Sequence, residues 1–229
     1  LFKEVEALGL SVYLMDVTFP LRPYWNLMQR LKPFRTFLKK EQIDLVHSDA
    51  NFRVLGVIRP STETIGALSK NNSIGILGTP GTIHSESYKI ELEKLSPSSR
   101  IFQHACPMWV PLIESNQHHT ELGKKIIQND IKVLLSKEPS IDTILLACTH
   151  YPLILQQIQD FVGPSISVIS QGPIVADKLK DYLSRNECMQ KQISRGASCS
   201  FLTTENSVVF QEAAMQFLAQ SIKAEQIKF

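Results

Sequence analysis

A thiol, a hydroxyl and an imidazole follow one another in the sequence as Cys148, Thr149 and His150. Residues 144–147 before them form an apolar run typical of a buried strand, and Pro152 stands near the first turn of a predicted helix. The helix dipole and unpaired backbone N–H groups at such a place favour a thiolate, and a nearby imidazole can hold a proton. The cluster therefore predicts proton-transfer or nucleophilic chemistry at the end of a strand.

An unpaired cysteine is most often a small buried hydrophobe, and that alternative applies to every thiol in the chain. Cys188 and Cys199 lie in polar segments without a neighbouring histidine, so we expect both to be inert. Cys106 neighbours His104, but its apolar surroundings favour packing over reactivity. None of the cysteines has the spacing of a zinc site or a disulfide scaffold, so we expect reduced thiols and no metal. Clustering with polar groups favours reactivity only at Cys148.

Two further segments carry polar groups that could serve the same site. Glu114 follows an apolar run and could orient His150, although a solvated glutamate at a helix start is an equal alternative. Thr79 and Thr82 flank Gly81 in a turn whose hydroxyls and backbone donors suit a carboxylate or phosphate. Threonines also cap helices for purely structural reasons, so this motif is weak.

The composition excludes several classes of function. A chain of 229 residues with 43% hydrophobic and 20% charged residues is typical of an ordinary globular protein. The formal charge is +2 with scattered lysines and arginines, so no electrostatic surface for nucleic acid is expected. No apolar run approaches the roughly 20 residues that span a bilayer, and no signal peptide opens the chain. These features favour a cytoplasmic protein with a small-molecule site.

Short β-branched or leucine-rich runs alternate with segments of helical period, which predicts βαβ units and mostly parallel sheets. The predicted strands are 11–15, 43–46, 54–58, 73–77, 100–103, 143–147, 165–169 and 200–203. The predicted helices are 25–40, 61–68, 85–95, 120–136, 153–162, 174–184 and 207–223. The strands ending near 77 and 147 both break into turns that contain Thr and Pro, and open α/β sheets bind ligands at such strand carboxyl ends.

One junction in this pattern is too short. Parallel strands need a crossover of about a dozen residues, but only residues 47–53 separate the strands predicted at 43–46 and 54–58. Either the two strands are antiparallel, or a segment between Val46 and Phe52 is absent; the preference for crossover helices favours absence. The chain also begins at Leu1 within what resembles the second half of a helix, so we expect further residues upstream.

These residues resemble the glutamate racemase family of the Asp/Glu racemase superfamily. The string Ala-Cys-Thr-His-Tyr-Pro-Leu at 147–153 resembles the second cysteine motif of that family. The segment 75–83 resembles its threonine-rich turn, and the segment 103–114 resembles its apolar stretch that ends in glutamate. The resemblance covers nearly the whole chain.

The resemblance implies an α/β fold with two similar lobes, each a mostly parallel sheet flanked by helices, and an active site in the cleft between them. The first lobe would comprise residues 1–72 and 173–229, and the second would comprise residues 73–172. The implied activity is the interconversion of L- and D-glutamate for peptidoglycan synthesis, with no cofactor or metal. The implied partner is glutamate, without nucleic acid or membrane, and the chain could form a homodimer.

The resemblance also implies roles for individual residues. Two thiols would flank the substrate α-carbon, one removing the proton as a thiolate while the other donates a proton from the far side. Cys148 would be one of them, assisted by His150 and Glu114. Pro23-Tyr24 is carried over although its distance from Asp16 is altered. The residues expected to contact substrate are Thr149, Thr79, Thr82, Pro23 and Tyr24.

The sequence departs from the family at two motifs. The amino-terminal Asp-Ser-Gly has no counterpart, and neither does the first catalytic cysteine in Cys-Asn-Thr. The latter belongs at the same junction that is too short for a crossover. Two alternatives therefore stay open: another amino-acid racemase of the superfamily, or a catalytically dead glutamate-binding relative if the first-cysteine segment is truly absent.

Overall fold

The computed structural model describes residues 12–16, 56–193 and 199–227. Residues 56–193 belong to one compact unit, and residues 12–16 with 199–227 belong to another. Pro23 and Tyr24, the strand predicted at 43–46 and the junction at 47–53 lie outside the described residues.

The described residues form parallel strands separated by helices, so the predicted α/β class is confirmed. The strands are β1 (Val12–Asp16), β2 (Ser73–Gly78), β3 (Arg100–Ala105), β4 (Thr143–Ala147), β5 (Ser167–Ser170), β6 (Cys199–Thr203) and β7 (Ala224–Gln226). The helices are α1 (Ile58–Leu68), α2 (Pro80–His84), α3 (Ser87–Leu95), α4 (Trp109–Glu114), α5 (Glu121–Lys137), α6 (Leu155–Val162), α7 (Gln171–Arg185), α8 (Glu187–Gln192) and α9 (Ser207–Leu218). Two 3-10 turns, Gln117–His119 and Tyr151–Ile154, precede α5 and α6.

A four-stranded parallel sheet in the order β3-β2-β4-β5 forms the centre of the first unit. Its two middle strands, β2 and β4, are buried along their whole length, as apolar runs covered on both faces should be. In their register, Gly78 lies opposite Ala147, so the turns after β2 and β4 leave the same edge of the sheet.

Helices cover both faces of this sheet. On one face, Ile74 and Ile76 of β2 pack in a cluster with Ile65 of α1 and with Leu92 of α3. On the other face, Gly75 lies under α5, where an added Cβ atom would come within 2.8 Å of Leu134 Cδ2. The absence of a side chain at this position therefore allows α5 to approach the sheet closely.

The strand predicted at 54–58 is wrong at its described end, because Ile58 begins α1. Pro60 occupies the first turn of this helix, where its missing N–H group costs no hydrogen bond. The hydroxyl of Ser61 donates to the carbonyl of Val57 at 2.7 Å, and that of Thr62 donates to Arg59 at 2.9 Å. Within residues 56–58, the described part of that segment, the short-crossover argument therefore finds no strand.

Two other predicted helices have different bounds. The helix predicted at 85–95 begins two residues later, as α3 at Ser87, because Glu86 adopts a left-handed φ of 51°. The helix predicted at 207–223 stops at Leu218, because Ala219 has a φ of 53°, and the chain then forms β7. Helix α4, which ends at Glu114, was not among the predicted helices.

The second unit contains a three-stranded parallel sheet in the order β1-β6-β7, with α9 between β6 and β7 in the chain. Helices α1 and α7 group with the four-stranded sheet, whereas the sequence assigned them to the other lobe; the lobe boundaries stay a prediction.

Within the described ranges, no helix has both the length and the apolar character that a bilayer crossing requires.

Asp142 joins the end of α1 to the start of β4. Its carboxylate accepts hydrogen bonds from the Ser69 hydroxyl at 2.7 Å, from the backbone N–H groups of Lys70 at 2.7 Å and Asn71 at 2.9 Å, and from the Thr143 hydroxyl at 2.9 Å. Partial burial acts to raise the pKa of Asp142, but these hydrogen bonds outweigh it and hold the pKa below its ordinary value.

Replacing Asp142 with alanine should lower the free energy of unfolding by about 1–3 kcal/mol at neutral pH, since four donors lose their acceptor. Because the pKa of Asp142 is lowered on folding, its contribution should be complete above about pH 4 and should disappear as the pH falls through the folded-state pKa. Urea unfolding at several pH values measures both effects, with Asp160→Ala as the exposed control. An equal loss at pH 7 for the two variants would contradict the assignment.

Candidate active site

Cys148 is placed by the buried strand that precedes it. Ala147, the last residue of β4, is only 4% exposed, and Cys148 is half-buried at the carboxyl edge of the sheet. The chain then turns, with the Tyr151 N–H group donating to the Cys148 carbonyl at 3.3 Å. Pro152 occupies the first turn of the following 3-10 segment, so α6 begins at Leu155, two residues later than predicted.

Cys148, His150 and Glu114 form a continuous line of polar contacts. The Cys148 Sγ atom lies 3.9 Å from His150 Nδ1, and His150 Nε2 lies 3.0 Å from Glu114 Oε1. Glu114 is the last residue of α4 and not the first residue of a helix, and its side chain is 58% exposed. The carboxylate can orient the imidazole, and the imidazole can exchange a proton with the thiol.

The surroundings of Cys148 act on its thiol in opposite directions. Burial is the largest effect and raises the pKa of Cys148, and the negative charge of Glu114 adds to this rise. The backbone N–H groups of His150, Tyr151 and Thr149 lower the pKa, because they face the sulfur and stabilise the thiolate. The resting site therefore favours a protonated thiol while holding donors ready for the charged form.

A cavity of about 420 Å³ opens at the carboxyl ends of β2, β4 and β5. It lies in the first unit, and its lining side chains are all uncharged among the residues that the structure describes. Such a cavity has the size and the few polar groups typical of a small-molecule site. The lining residues are Val57, Ile58, Thr82, Ser85, Ser87, Tyr88, Ala147, Cys148, Thr149, Pro152, Gln171, Gly172 and Val175.

The three threonines expected at the site take different positions. Thr149 is exposed and lines the cavity beside Cys148, and Thr82 lines it from α2. Thr79 does not line it: its hydroxyl lies 2.9 Å from the Thr82 hydroxyl and accepts the Thr82 N–H at 3.3 Å, as a helix cap does. Thr79 therefore orients Thr82, and a direct contact of Thr79 with substrate stays a prediction.

Gln171 lines the cavity, and no role was predicted for it from the sequence. Its Oε1 atom accepts the Tyr88 hydroxyl at 2.8 Å, and its Nε2 atom donates to the Leu146 carbonyl at 3.2 Å. Burial, the largest effect, raises the pKa of Tyr88 to about 12, so this wall of the cavity is neutral. Gln171 directly follows β5, and the rule that drew attention to Cys148 after β4 would have found it.

A second polar cluster lies behind the cavity. The possible metal-ligand atoms of His104, Cys106 and Asp130 lie within 4.8 Å of one another. Both Asp130 oxygens already have partners: His104 Nε2 lies 3.0 Å from Oδ1, and Trp109 Nε1 donates to Oδ2 at 2.7 Å. Cys106 is 1% exposed, and burial together with the Asp130 charge raises the pKa of its thiol, which disfavours the thiolate that metals bind. Hydrogen bonds and packing therefore account for these three groups.

The pKa of the Cys148 thiol can be tested by alkylation with iodoacetamide at a series of pH values. Peptide mass spectrometry measures how fast Cys148 is alkylated at each pH. The midpoint for alkylation of Cys148 should lie above the value of about 8.5 for an ordinary cysteine, because burial raises its pKa. Glu114→Gln should lower the midpoint, since it removes a nearby negative charge. Glu121→Gln, on the exposed start of α5, is the matched control. A higher midpoint in Glu114→Gln would contradict this description.

No protein-family model matches the chain. A curated glutamate racemase of Streptococcus pyogenes serotype M4 is 34% identical over 174 residues, which cover 76% of this chain and 65% of the relative. A curated glutamate racemase of Streptococcus agalactiae serotype III is 33% identical over 188 residues, which cover 82% of this chain and 67% of the relative. The chain thus spans about two thirds of the length of these relatives.

Solved structures show the same fold. A glutamate racemase isoform from Bacillus anthracis superimposes with a TM-score of 0.80 at 23% identity, covering 99% of this chain and 92% of that one. A glutamate racemase from Francisella tularensis, solved in complex with D-glutamate, gives a TM-score of 0.76 at 17% identity, covering 99% and 93%. The sequence identity to the curated relatives shows that the chain belongs to the glutamate racemase family, and the shared fold agrees with this.

Proposed function

We propose that this protein interconverts L- and D-glutamate by proton transfer at the α-carbon, with the Cys148 thiol acting on one face of the substrate. The observation that carries the proposal is the line from Glu114 through His150 to Cys148, which ends at a cavity lined by uncharged groups. The identity to curated glutamate racemases supports glutamate as the substrate.

The thiol suits the proposed chemistry because the base must also act as an acid. A racemase removes a proton in one direction and delivers it in the other, so the group needs both protonation states near neutral pH. Burial keeps Cys148 protonated, and three backbone N–H groups stabilise the thiolate when it forms. His150 would relay the proton and Glu114 would orient His150, so the proposal assigns no step to a metal or an organic cofactor.

The cavity supplies neutral donors for a dicarboxylate. Hydroxyl groups of Thr82, Ser85, Ser87 and Thr149 lie among its lining residues. Hydroxyls can hydrogen-bond a carboxylate without the fixed positive charge that would stabilise the ground state as strongly as the transition state. The Francisella tularensis relative was solved with D-glutamate, which supports a ligand of this size and charge.

A two-thiol mechanism also needs an acid on the opposite face of the α-carbon. Cys106, Cys188 and Cys199 are absent from the cavity lining among the described residues, and the sequence has no other cysteine besides Cys148. We infer that the second thiol belongs to a segment that is absent from the sequence between Val46 and Phe52, where the family has its first catalytic cysteine. The proposed role is the supply of D-glutamate for peptidoglycan in the cytoplasm of a bacterium.

The activity can be tested by polarimetry on the intact protein without added cofactor. Solutions of L-glutamate and of D-glutamate should both relax toward zero rotation, and Cys148→Ser should abolish the change because a hydroxyl is too weak a base. Cys188→Ser, which alters an exposed thiol, is the control and should retain activity. Unchanged rotation with both enantiomers would contradict the proposal, and activity on aspartate instead would indicate another racemase of the superfamily.

A further inference from the structure

We propose that Asp130, a residue of α5 outside the cavity lining, is the positioning residue that holds Glu114, His150 and Cys148 in line. Three contacts carry this inference: Asp130 with Trp109, Trp109 with Tyr151, and Tyr151 with the turn at Cys148. The kinetic consequence rests on the proposed function, whereas the structural consequence can be measured without it.

Asp130 lies on α5 beside its apolar contact with the sheet, and its Oδ1 atom is 3.0 Å from His104 Nε2 of β3. Its neighbours on the buried side of α5 include Ile127, Ile131 and Leu134, each no more than 1% exposed. The Asp130 side chain is 16% exposed and accepts the Trp109 indole N–H at 2.7 Å. A short hydrogen bond to a charged acceptor in such a place is directional and strong.

The bond to Trp109 fixes the helix that carries Glu114. Trp109 is the first residue of α4 and is fully buried, and Glu114 is the last residue of the same helix. A helix of this length behaves as one rigid turn and a half, so the orientation of Trp109 determines where Glu114 points. Loss of the Asp130 bond would leave a buried indole N–H unsatisfied and allow α4 to rotate.

The same indole also fixes the turn that carries Cys148 and His150. The rings of Trp109 and Tyr151 lie 4.8 Å apart at 56°, in a tilted arrangement favourable for aromatic pairs. Tyr151 is fully buried, and its hydroxyl donates to the Cys106 carbonyl at 3.2 Å. Its backbone N–H belongs to the group of donors that face the Cys148 sulfur. Asp130 therefore acts on both sides of the 3.0 Å contact between His150 and Glu114.

The test compares Asp130→Ala, Asp130→Asn and Trp109→Phe with Glu121→Ala, which removes an exposed carboxylate from the same helix. Asparagine keeps an acceptor oxygen for the indole N–H, whereas phenylalanine keeps a buried aromatic ring but removes the N–H group together with the five-membered ring of the indole. Trp109→Phe therefore reports on the hydrogen bond and the ring contact together, even if Asp130→Ala fails to fold. Each variant is assayed for glutamate racemisation and for alkylation of Cys148 against pH, with melting temperature as the check on folding.

Asp130→Ala and Trp109→Phe should lower kcat on the order of 10- to 100-fold, with KM changed by no more than about twofold, because a relay misplaced by less than 1 Å loses rate and not substrate affinity. Both should shift the pH midpoint for alkylation of Cys148 away from the wild-type value, since the Tyr151 N–H group and the Glu114 charge both change position relative to the sulfur. Asp130→Asn should restore most of both properties, and Glu121→Ala should match the wild type.

If Asp130 had a purely structural role, Asp130→Ala would have a lower melting temperature. At temperatures where the variant is still folded, its kcat and its alkylation midpoint would equal those of the wild type. That result would overturn the inference. Loss in Asp130→Ala without loss in Trp109→Phe would also overturn it, because the route through the indole would be wrong. If the wild-type protein racemises no glutamate, the proposed function fails, and the alkylation midpoints of the same variants still decide the role of Asp130.

Discussion

The parallel register between β2 and β4 is the constraint on which the candidate site depends. Gly78 and Ala147 lie opposite each other, so the turn with Thr82 and the turn with Cys148 leave the sheet at one edge. Both strands are buried on both faces, and a shift of β2 would put a side chain in place of Gly75 under Leu134 of α5, where a Cβ atom does not fit. Strand β5 extends the same edge and delivers Gln171, so one packing constraint assembles three walls of the cavity.

The chemistry that this edge supports depends on a balance between burial and backbone donors. Burial alone would make Cys148 an inert thiol, as it does for Cys106 after β3. The difference is that Cys148 opens a turn whose N–H groups face its sulfur and whose His150 contacts an ionisable partner. A thiol that is neutral at rest and stabilised when charged suits reversible proton transfer better than covalent catalysis, for which a permanently lowered pKa would be favourable.

The sequence predicted those parts of the structure that depend on neighbouring residues in the chain. The apolar run before Cys148 and the proline after it indicated a strand end and a turn, and both are present. The strand expected at 54–58 is wrong at its described end, because β-branched residues are typical of strands, whereas Pro60 and the Ser61 and Thr62 hydroxyls favour the first turn of α1. Asp130 could not have been identified from the sequence, because its partner Trp109 lies on another helix and only the fold brings them together.

The central claim is that the Cys148 thiol exchanges a proton with the α-carbon of glutamate, and proton NMR in deuterated solvent tests it most directly. The wild-type protein should replace the α-proton of L-glutamate and of D-glutamate with deuterium, and the Cys148→Ser variant should lose exchange at the face that Cys148 serves. Exchange of one enantiomer alone by the wild type would indicate a single functional base. An α-proton that persists in both enantiomers through prolonged incubation with the folded wild-type protein would contradict the account.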